Sequence, residues 1–208
     1  KQLNFDDSRS KLFFEYVRLL KELKPKYFLL ENVRMKQEYQ DVISKHLGVK
    51  PIMINSSLLS SQNRNRLYWT NIPNITQPED RGIVLKDILQ YETENEYTEP
   101  YVKLNGKKSG CVGYVGNKPA QATRIYSVNE KSQSLMANGG GQGGKTGLYQ
   151  IPINKELHYR KLTPIECERL QTVPDGYTDG VSNTQRYKMI GNGWTVEVIK
   201  HILNNMEK

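Results

Sequence analysis

From Asp6 to Pro25 the apolar residues recur at helical spacing. Phe13, Tyr16, Val17, Leu20 and Leu23 share one face of DDSRSKLFFEYVRLLKELKP, with Asp and Ser at the start and Pro25 as a stop. The run YFLLENV that follows is short and mostly apolar, which predicts a strand buried on both faces. MKQEYQDVISKHLG returns to helical spacing, with Tyr39, Val42, Ile43 and Leu47 inward and Gly48 at the C-terminal end. PIMINSSLL and RLYWTNI predict two further strands. A strand–helix–strand order with short connections predicts an α/β unit with a parallel or mixed sheet.

Between Pro73 and Tyr159 this pattern dissolves into short apolar runs among Gly, Asn, Gln, Thr and Lys. Candidate strands are GCVGYV, TRIYSV, SQSLMA and GLYQI. NGGGQGGKTG, between the last two, is too Gly-rich for regular structure. It reads either as a surface loop or as a loop whose backbone approaches a ligand closely. Helix returns at TPIECERLQ, where Thr163, Pro164 and Glu166 spell a capping box with proline in the first turn. A final helical stretch, SNTQRYKMIGNGWTVEVIKHILNNM, carries Val196, Ile199, Ile202 and Leu203 as a stripe. The layout predicts an α/β domain over 1–73, a small β-rich insertion with a hinge helix over 74–182, and a returning C-terminal helix over 183–208.

Charge sharpens this reading. Lys and Arg exceed Asp and Glu by 8 in 208 residues, which favours a polyanionic partner. No apolar run approaches the roughly 20 residues of a membrane span, and no signal-peptide pattern opens the chain. Cys111 and Cys167 stand far apart without a CxxC or Cys/His pairing. This argues against a zinc site or a disulfide framework and fits a reducing cytoplasm. Lys1 in place of an initiating Met is expected of a piece of a longer polypeptide.

Four stretches then carry more than pattern: DDSRSKLFFE, LLENV, QNRNR, and RKLTPIECERLQTVPDGY followed by GNGWTVEVI. Each is weak alone. In this order, with a variable insert between the third and fourth, they resemble the ordered motifs of DNA cytosine-5 methyltransferases over nearly the whole chain. The resemblance implies part of a Rossmann-like methyltransferase sheet with an inserted small β-rich target-recognition domain. It also implies transfer of a methyl group from S-adenosylmethionine to C5 of a flipped cytosine in a specific double-stranded DNA site, in a bacterial or phage setting.

The chemistry fits the residue types. Cytosine C5 is a poor nucleophile until a thiolate adds at C6, and an acid beside N3 stabilises the charge that this attack builds. The resemblance gives that role to Glu31, in contact with N3 and the exocyclic amine. The carboxyl end of a strand is where open α/β sheets place their sites. Enclosure between base and protein would favour the protonated acid, and Asn32 would orient the loop. Arg64 and Arg66 alternate, so one strand would present both on one face. By resemblance both reach the active site, Arg66 holding the cytosine carbonyl oxygen or a phosphate, while Gln62 fixes the turn.

In the insert the resemblance places Arg124 on a guanine in the major groove and Gln121 in the gap left by the flipped base. It sets Ser134, Gly139, Gly140 and Gly141 against the DNA. Ser134 stands where the family usually has Thr, and Asn138 receives no role. Flipping costs a few kcal/mol, and phosphate contacts that offset it make binding salt-dependent. Arg160, Glu166 and Arg169 are expected to hold the hinge helix together. Asn192 and Gly193, at the start of the last helix, would lie against the methionine part of the cofactor, where helix-terminal N–H groups suit a carboxylate. Val173 would pack beside the cofactor, and Trp194 belongs to the core.

The family's nucleophile sits in a Pro-Cys motif, and its cofactor pocket opens with a Gly-rich strand-to-helix turn. The sequence contains neither. The expectation is a chain that begins just downstream of its nucleophile and methylates nothing alone. It would need the N-terminal half of the same enzyme or a partner subunit. A non-catalytic DNA-binding pseudo-methyltransferase is the alternative; retention of Glu31, Arg64 and Arg66 weighs against it.

Overall fold

In the computed structural model, residues 8–90, 102–108, 110–117, 120–137, 146–153 and 156–206 are described. Gly139, Gly140 and Gly141 lie outside the described residues. By its internal contacts the chain forms two compact units. One comprises Lys1–Ile54, Asn65–Gln77 and Ile202–Lys208, and the other Asn55–Arg64 with Pro78–His201. This division differs from the boundaries read in the sequence: residues 183–201 group with the insert.

In the first unit, the helical spacing after Asp7 yields α1 (Ser8–Leu23). β1 (Leu29–Val33), α2 (Gln37–Leu47), β2 (Ile52–Asn55) and β3 (Asn65–Thr70) follow. α2 ends as expected at Gly48, whose φ of 73° would strain any residue bearing a Cβ. The sheet order is β1-β3-β2, and β1 runs antiparallel to β3 with Leu30 opposite Trp69 and Glu31 opposite Tyr68. The core is Ile43, Leu67 and Trp69, packed by Phe13, Leu30, Met35, Leu47 and Val49. The Trp69 indole N–H donates to Ser44 Oγ at 2.9 Å, so its one polar group is satisfied.

Two expectations are corrected here. β1 is an edge strand, half-buried along its length with Val33 exposed, rather than a strand buried on both faces. Its apolar composition had pointed to a central position. Leu23 does not join the inward face of α1 but is 73% exposed, because the helix ends there and the chain turns at Lys24.

The second unit is built on a five-stranded sheet in the order β4 (Val102–Lys108), β5 (Cys111–Tyr114), β6 (Arg124–Ser127), β7 (Leu148–Ile153) and β8 (Glu156–Lys161). β6 and β7 are parallel and the other neighbours antiparallel. The expected strand over SQSLMA does not form. Only an isolated bridge joins Ser132 to Gln62, because this segment pairs its main chain with residues 61–63 rather than with the sheet. Leu135, Tyr149, Leu162, Leu170, Tyr187 and Ile190 are buried together in the main core.

α3 (Pro164–Leu170) has the capping box read in the sequence. Thr163 Oγ1 accepts from the Glu166 N–H, and Glu166 accepts from the Thr163 N–H. The final helical stretch, by contrast, is broken into α4 (Asn183–Asn192) and α5 (Val196–Leu203). Asn192 therefore closes one helix instead of opening the next, and extended Gly193 (φ −72°, ψ 169°) starts the turn between them.

Glu168, fully buried in α3, anchors the loop after it. Its carboxylate accepts from the Gly176 N–H at 2.7 Å, the Thr178 N–H at 3.0 Å, the Thr178 hydroxyl, and Arg186 at 2.9 Å. Burial pushes this carboxyl up, but the Thr178 hydroxyl, Arg186 and the two backbone donors together outweigh it and hold it below the ordinary value of 4.5. A depressed folded value contributes stability that is fully present above 4.5 and lost as pH falls through the lowered value. The melting temperature is therefore expected to drop on acidification below 4.5. Glu168→Gln should flatten that acid limb while lowering stability at neutral pH. An acid limb as steep as wild type would refute the assignment.

Candidate active site

β1 and β3 bring an acid and a cation together. Val33 is paired with Arg66 and Glu31 with Tyr68, so all four lie on one face of the ladder, and the long Arg66 side chain reaches diagonally to Glu31. Arg66 Nε lies 2.8 Å from Glu31 Oε1, with 15% and 18% of the two side chains exposed. Another nitrogen of the same guanidinium donates to the Asn65 carbonyl at 2.9 Å. Asn32 turns its side-chain oxygen back to the Val33 N–H at 2.8 Å, bracing the end of the strand. The result is a carboxylate and a planar donor fork, both partly open to solvent. Together they can receive a ligand edge that carries a donor, a ring nitrogen and a carbonyl oxygen side by side. Tyr68, buried opposite Glu31, was not singled out in the sequence; only strand register brings it there.

Arg64 is placed differently. β3 begins at Asn65, so the expected alternation of Arg64 and Arg66 along one strand does not occur. Arg64 is 4% exposed and donates to the carbonyls of Leu135 at 2.9 Å, Gly191 at 3.1 Å and Gly193 at 2.9 Å. Its guanidinium is held by protein main chain. Gln62 does fix the turn. It is fully buried, its oxygen accepts from the Leu135 N–H at 2.8 Å, and its amide donates to Leu170 O and Gln171 Oε1 at 3.3 Å each.

In the second unit, the turn at Ala120–Thr123 sets Gln121 and Arg124 three residues apart, both exposed, where the chain enters β6. Ser134 is half-buried in the segment running towards residues 138–145. Arg160 and Glu166 form a buried pair, and Arg169 pairs with Asp175 at 2.6 Å, so all three hold α3 in place. Trp194 is 47% exposed, which corrects its assignment to the core. Cys111 and Cys167 are both buried. Burial, then the neighbouring charges of Glu166 and Glu168, push the Cys167 thiol well up, so it supplies no thiolate near neutrality. Among the described residues no cluster could hold a metal ion, and no helix is long and apolar enough to cross a membrane.

On the candidate cofactor side, Asn192 is exposed and Val173 half-buried against the core. The expectation that N–H groups at the start of α5 receive a carboxylate is not met, because they are bonded within the chain. Val196 N donates to Gln171 O, Glu197 N to Thr172 Oγ1, and Val198 N to Thr195 O. The Gly193 N–H is likewise taken by Ile190 O. Gly191, not singled out in the sequence, is the glycine that packing requires: a Cβ there would sit 2.3 Å from the Met136 carbonyl oxygen.

The fold is a mixed α/β methyltransferase fold. The Entamoeba histolytica methyltransferase EhMeth superposes with a TM-score of 0.65 at 16% identity, covering 98% of this chain and 71% of that one. The S. pombe Dnmt2 methyltransferase gives 0.63 at 16%, covering 94% and 72%. In sequence, residues 1–208 match the family model for C-5 cytosine-specific DNA methylases. The type II methyltransferase M.HhaI of Haemophilus parahaemolyticus is 31% identical over 235 residues, spanning 99% of this chain and 70% of that protein. M1.ScrFI of Lactococcus lactis subsp. cremoris is 30% identical over 236 residues, spanning 99% and 58%. The chain belongs to the C-5 cytosine-specific DNA methylase family.

Proposed function

We propose that this chain supplies the base-holding acid and the DNA-reading surface for methylation of C5 of a cytosine flipped out of a specific double-stranded site. The observation that carries this reading is the Glu31–Arg66 pair on one face of β1 and β3. A cytosine meeting that face would set N3 and its exocyclic amine against the Glu31 carboxyl and its carbonyl oxygen against Arg66. Stabilising the N3 side of the ring lets C6 accept a nucleophile and makes C5 electron-rich. S-adenosylmethionine would supply the methyl group. Of this chain, Asn192 and Val173 would border it, while the satisfied N–H groups of the α4–α5 turn would only shape the wall.

Residues 74–182 would act as the target-recognition domain, with Arg124 reading a guanine and Gln121 entering the gap in the duplex. Ser134 and Gly139, Gly140 and Gly141 would approach the DNA. Arg64 would act through the backbone that it grips. The thiolate would come from a Pro-Cys segment that these 208 residues do not contain.

The 208-residue chain alone is expected to bind duplex DNA with an affinity that falls steeply with salt, and to incorporate no labelled methyl groups. Together with a polypeptide bearing the Pro-Cys nucleophile and the rest of the cofactor pocket, it should methylate cytosine at C5. Salt-independent binding, or methylation by the chain alone, would overturn this reading.

A further inference from the structure

We propose that Arg64 is a positioning residue that couples the segment 132–137 to the α4–α5 turn, so that DNA seated on one reshapes the other. What the two segments touch rests on the function proposed above; the coupling itself rests on a buried polar network. The Arg64 guanidinium grips Leu135 O on one side and Gly191 O and Gly193 O on the other. Asn192 thus stands between two carbonyls held by one side chain. Gln62 binds the Leu135 N–H at one end and, at the other, Gln171, whose amide donates to Ile190 O at 2.8 Å and Gly193 O at 3.0 Å. Gln171 Oε1 also accepts from the Thr195 hydroxyl at 2.8 Å, on the far side of the turn. Two independent routes therefore run from Leu135 to Gly193, one through Arg64 and one through Gln62 and Gln171.

Direct packing reinforces both, since Gly191 is pressed against the Met136 carbonyl with no room for a Cβ. Gln62, Gln171 and Thr195 are all within 2% of full burial. Buried donors and acceptors are costly to leave unpaired, so displacing one partner must move the others with it. A planar guanidinium can span carbonyls of separate segments, whereas a lysine ammonium is a point donor that cannot hold both ends in one geometry. Because the segment leads into residues 138–145 and the turn carries Asn192, the network joins the DNA-reading side to the cofactor side. Linkage makes the coupling reciprocal: cofactor at the turn must alter DNA affinity by the same factor that DNA alters cofactor affinity.

The test is hydrogen exchange of the Leu135, Gly193 and Val196 amides in the full chain, wild type and Arg64→Lys, with and without a duplex DNA probe. Without DNA, the variant should exchange about tenfold faster at Leu135 and Gly193 together. With DNA, wild type should gain protection at Gly193 and Val196 as well as Leu135, and the variant, left with the route through Gln62 and Gln171, should gain clearly less at Gly193 and Val196. Acceleration confined to one segment, or wild-type protection of the turn in the variant, would overturn the proposal. If Arg64→Lys fails to fold, Thr195→Val reads the coupling through the second route, Gln171 and Gln62: loosening that reaches Leu135 supports the coupling, and loosening confined to the turn overturns it. If wild type binds no duplex, the proposed function fails, while the DNA-free exchange still decides whether the two segments move together.

Discussion

Glu31→Gln is expected to slow methyl transfer about 10²–10⁴-fold in the completed enzyme, the range that a positioned acid supplies. The chain itself should remain folded. The substitution keeps the side-chain oxygen that Arg66 approaches at 2.8 Å, so the guanidinium retains a hydrogen-bond acceptor. What disappears is the ionisable proton next to the base nitrogen where charge develops. Single-turnover rates at saturating DNA isolate this step from binding, so the loss should appear in kcat with DNA affinity nearly unchanged. Arg66→Ala should shift the balance the other way, weakening the hold on the base while leaving the acid in place. A Glu31→Gln rate within about threefold of wild type would remove Glu31 from the chemistry.

The largest stability effect is expected at the Arg160–Glu166 pair. The side chains are 1% and 0% exposed and meet in two parallel bonds of 2.6 and 2.7 Å. The same carboxylate accepts from the Gln90 and Thr163 N–H groups at 2.8 Å each, and Arg160 also donates to Gln90 O at 2.9 Å. Glu166→Ala would leave a guanidinium buried beside orphaned N–H donors, and removing one partner of such a pair costs about 3–5 kcal/mol. It also deletes half of the capping box of α3. Equilibrium urea unfolding measures the loss. The double variant Arg160→Met with Glu166→Gln should recover part of it, because no unpaired buried charge remains. A single-variant loss below about 1 kcal/mol would show that water reaches the pair.

Local signals were legible in the sequence. Thr163, Pro164 and Glu166 specify the start of α3 through contacts within four residues, and Gly48 specifies the end of α2 in the same way. The middle strands were legible only in part. GCVGYV, TRIYSV and GLYQI correspond to β5, β6 and β7. SQSLMA is a similarly short run but pairs its backbone with a distant turn, and local composition does not encode the partner. The acid proposed for the site was legible through its motif. Its pairing with Arg66 was not, because diagonal reach depends on register between β1 and β3. Arg64 shows the converse: two residues before Arg66 it resembles a second ligand-facing arginine, yet the strand starts one residue too late for that. The helix break at Gly193 was similarly hidden. The apolar stripe continues past it, and the turn is held by tertiary partners, Gln171 and Arg64, that no local pattern announces.

If residues 132–137 face DNA as proposed, the grip on them bears on how new specificities arise. Gln62 holds the Leu135 N–H, Arg64 its carbonyl, and residues 61 and 63 the N–H and carbonyl of Ser132. Each of these bonds is made to main-chain atoms, which every residue except proline provides in full. The path of this stretch is therefore fixed without reference to the letters written on it. Ser134 and Met136 can be exchanged while the frame that carries them stays still. A lineage could in this way drift from one target site to another without passing through an unfolded intermediate.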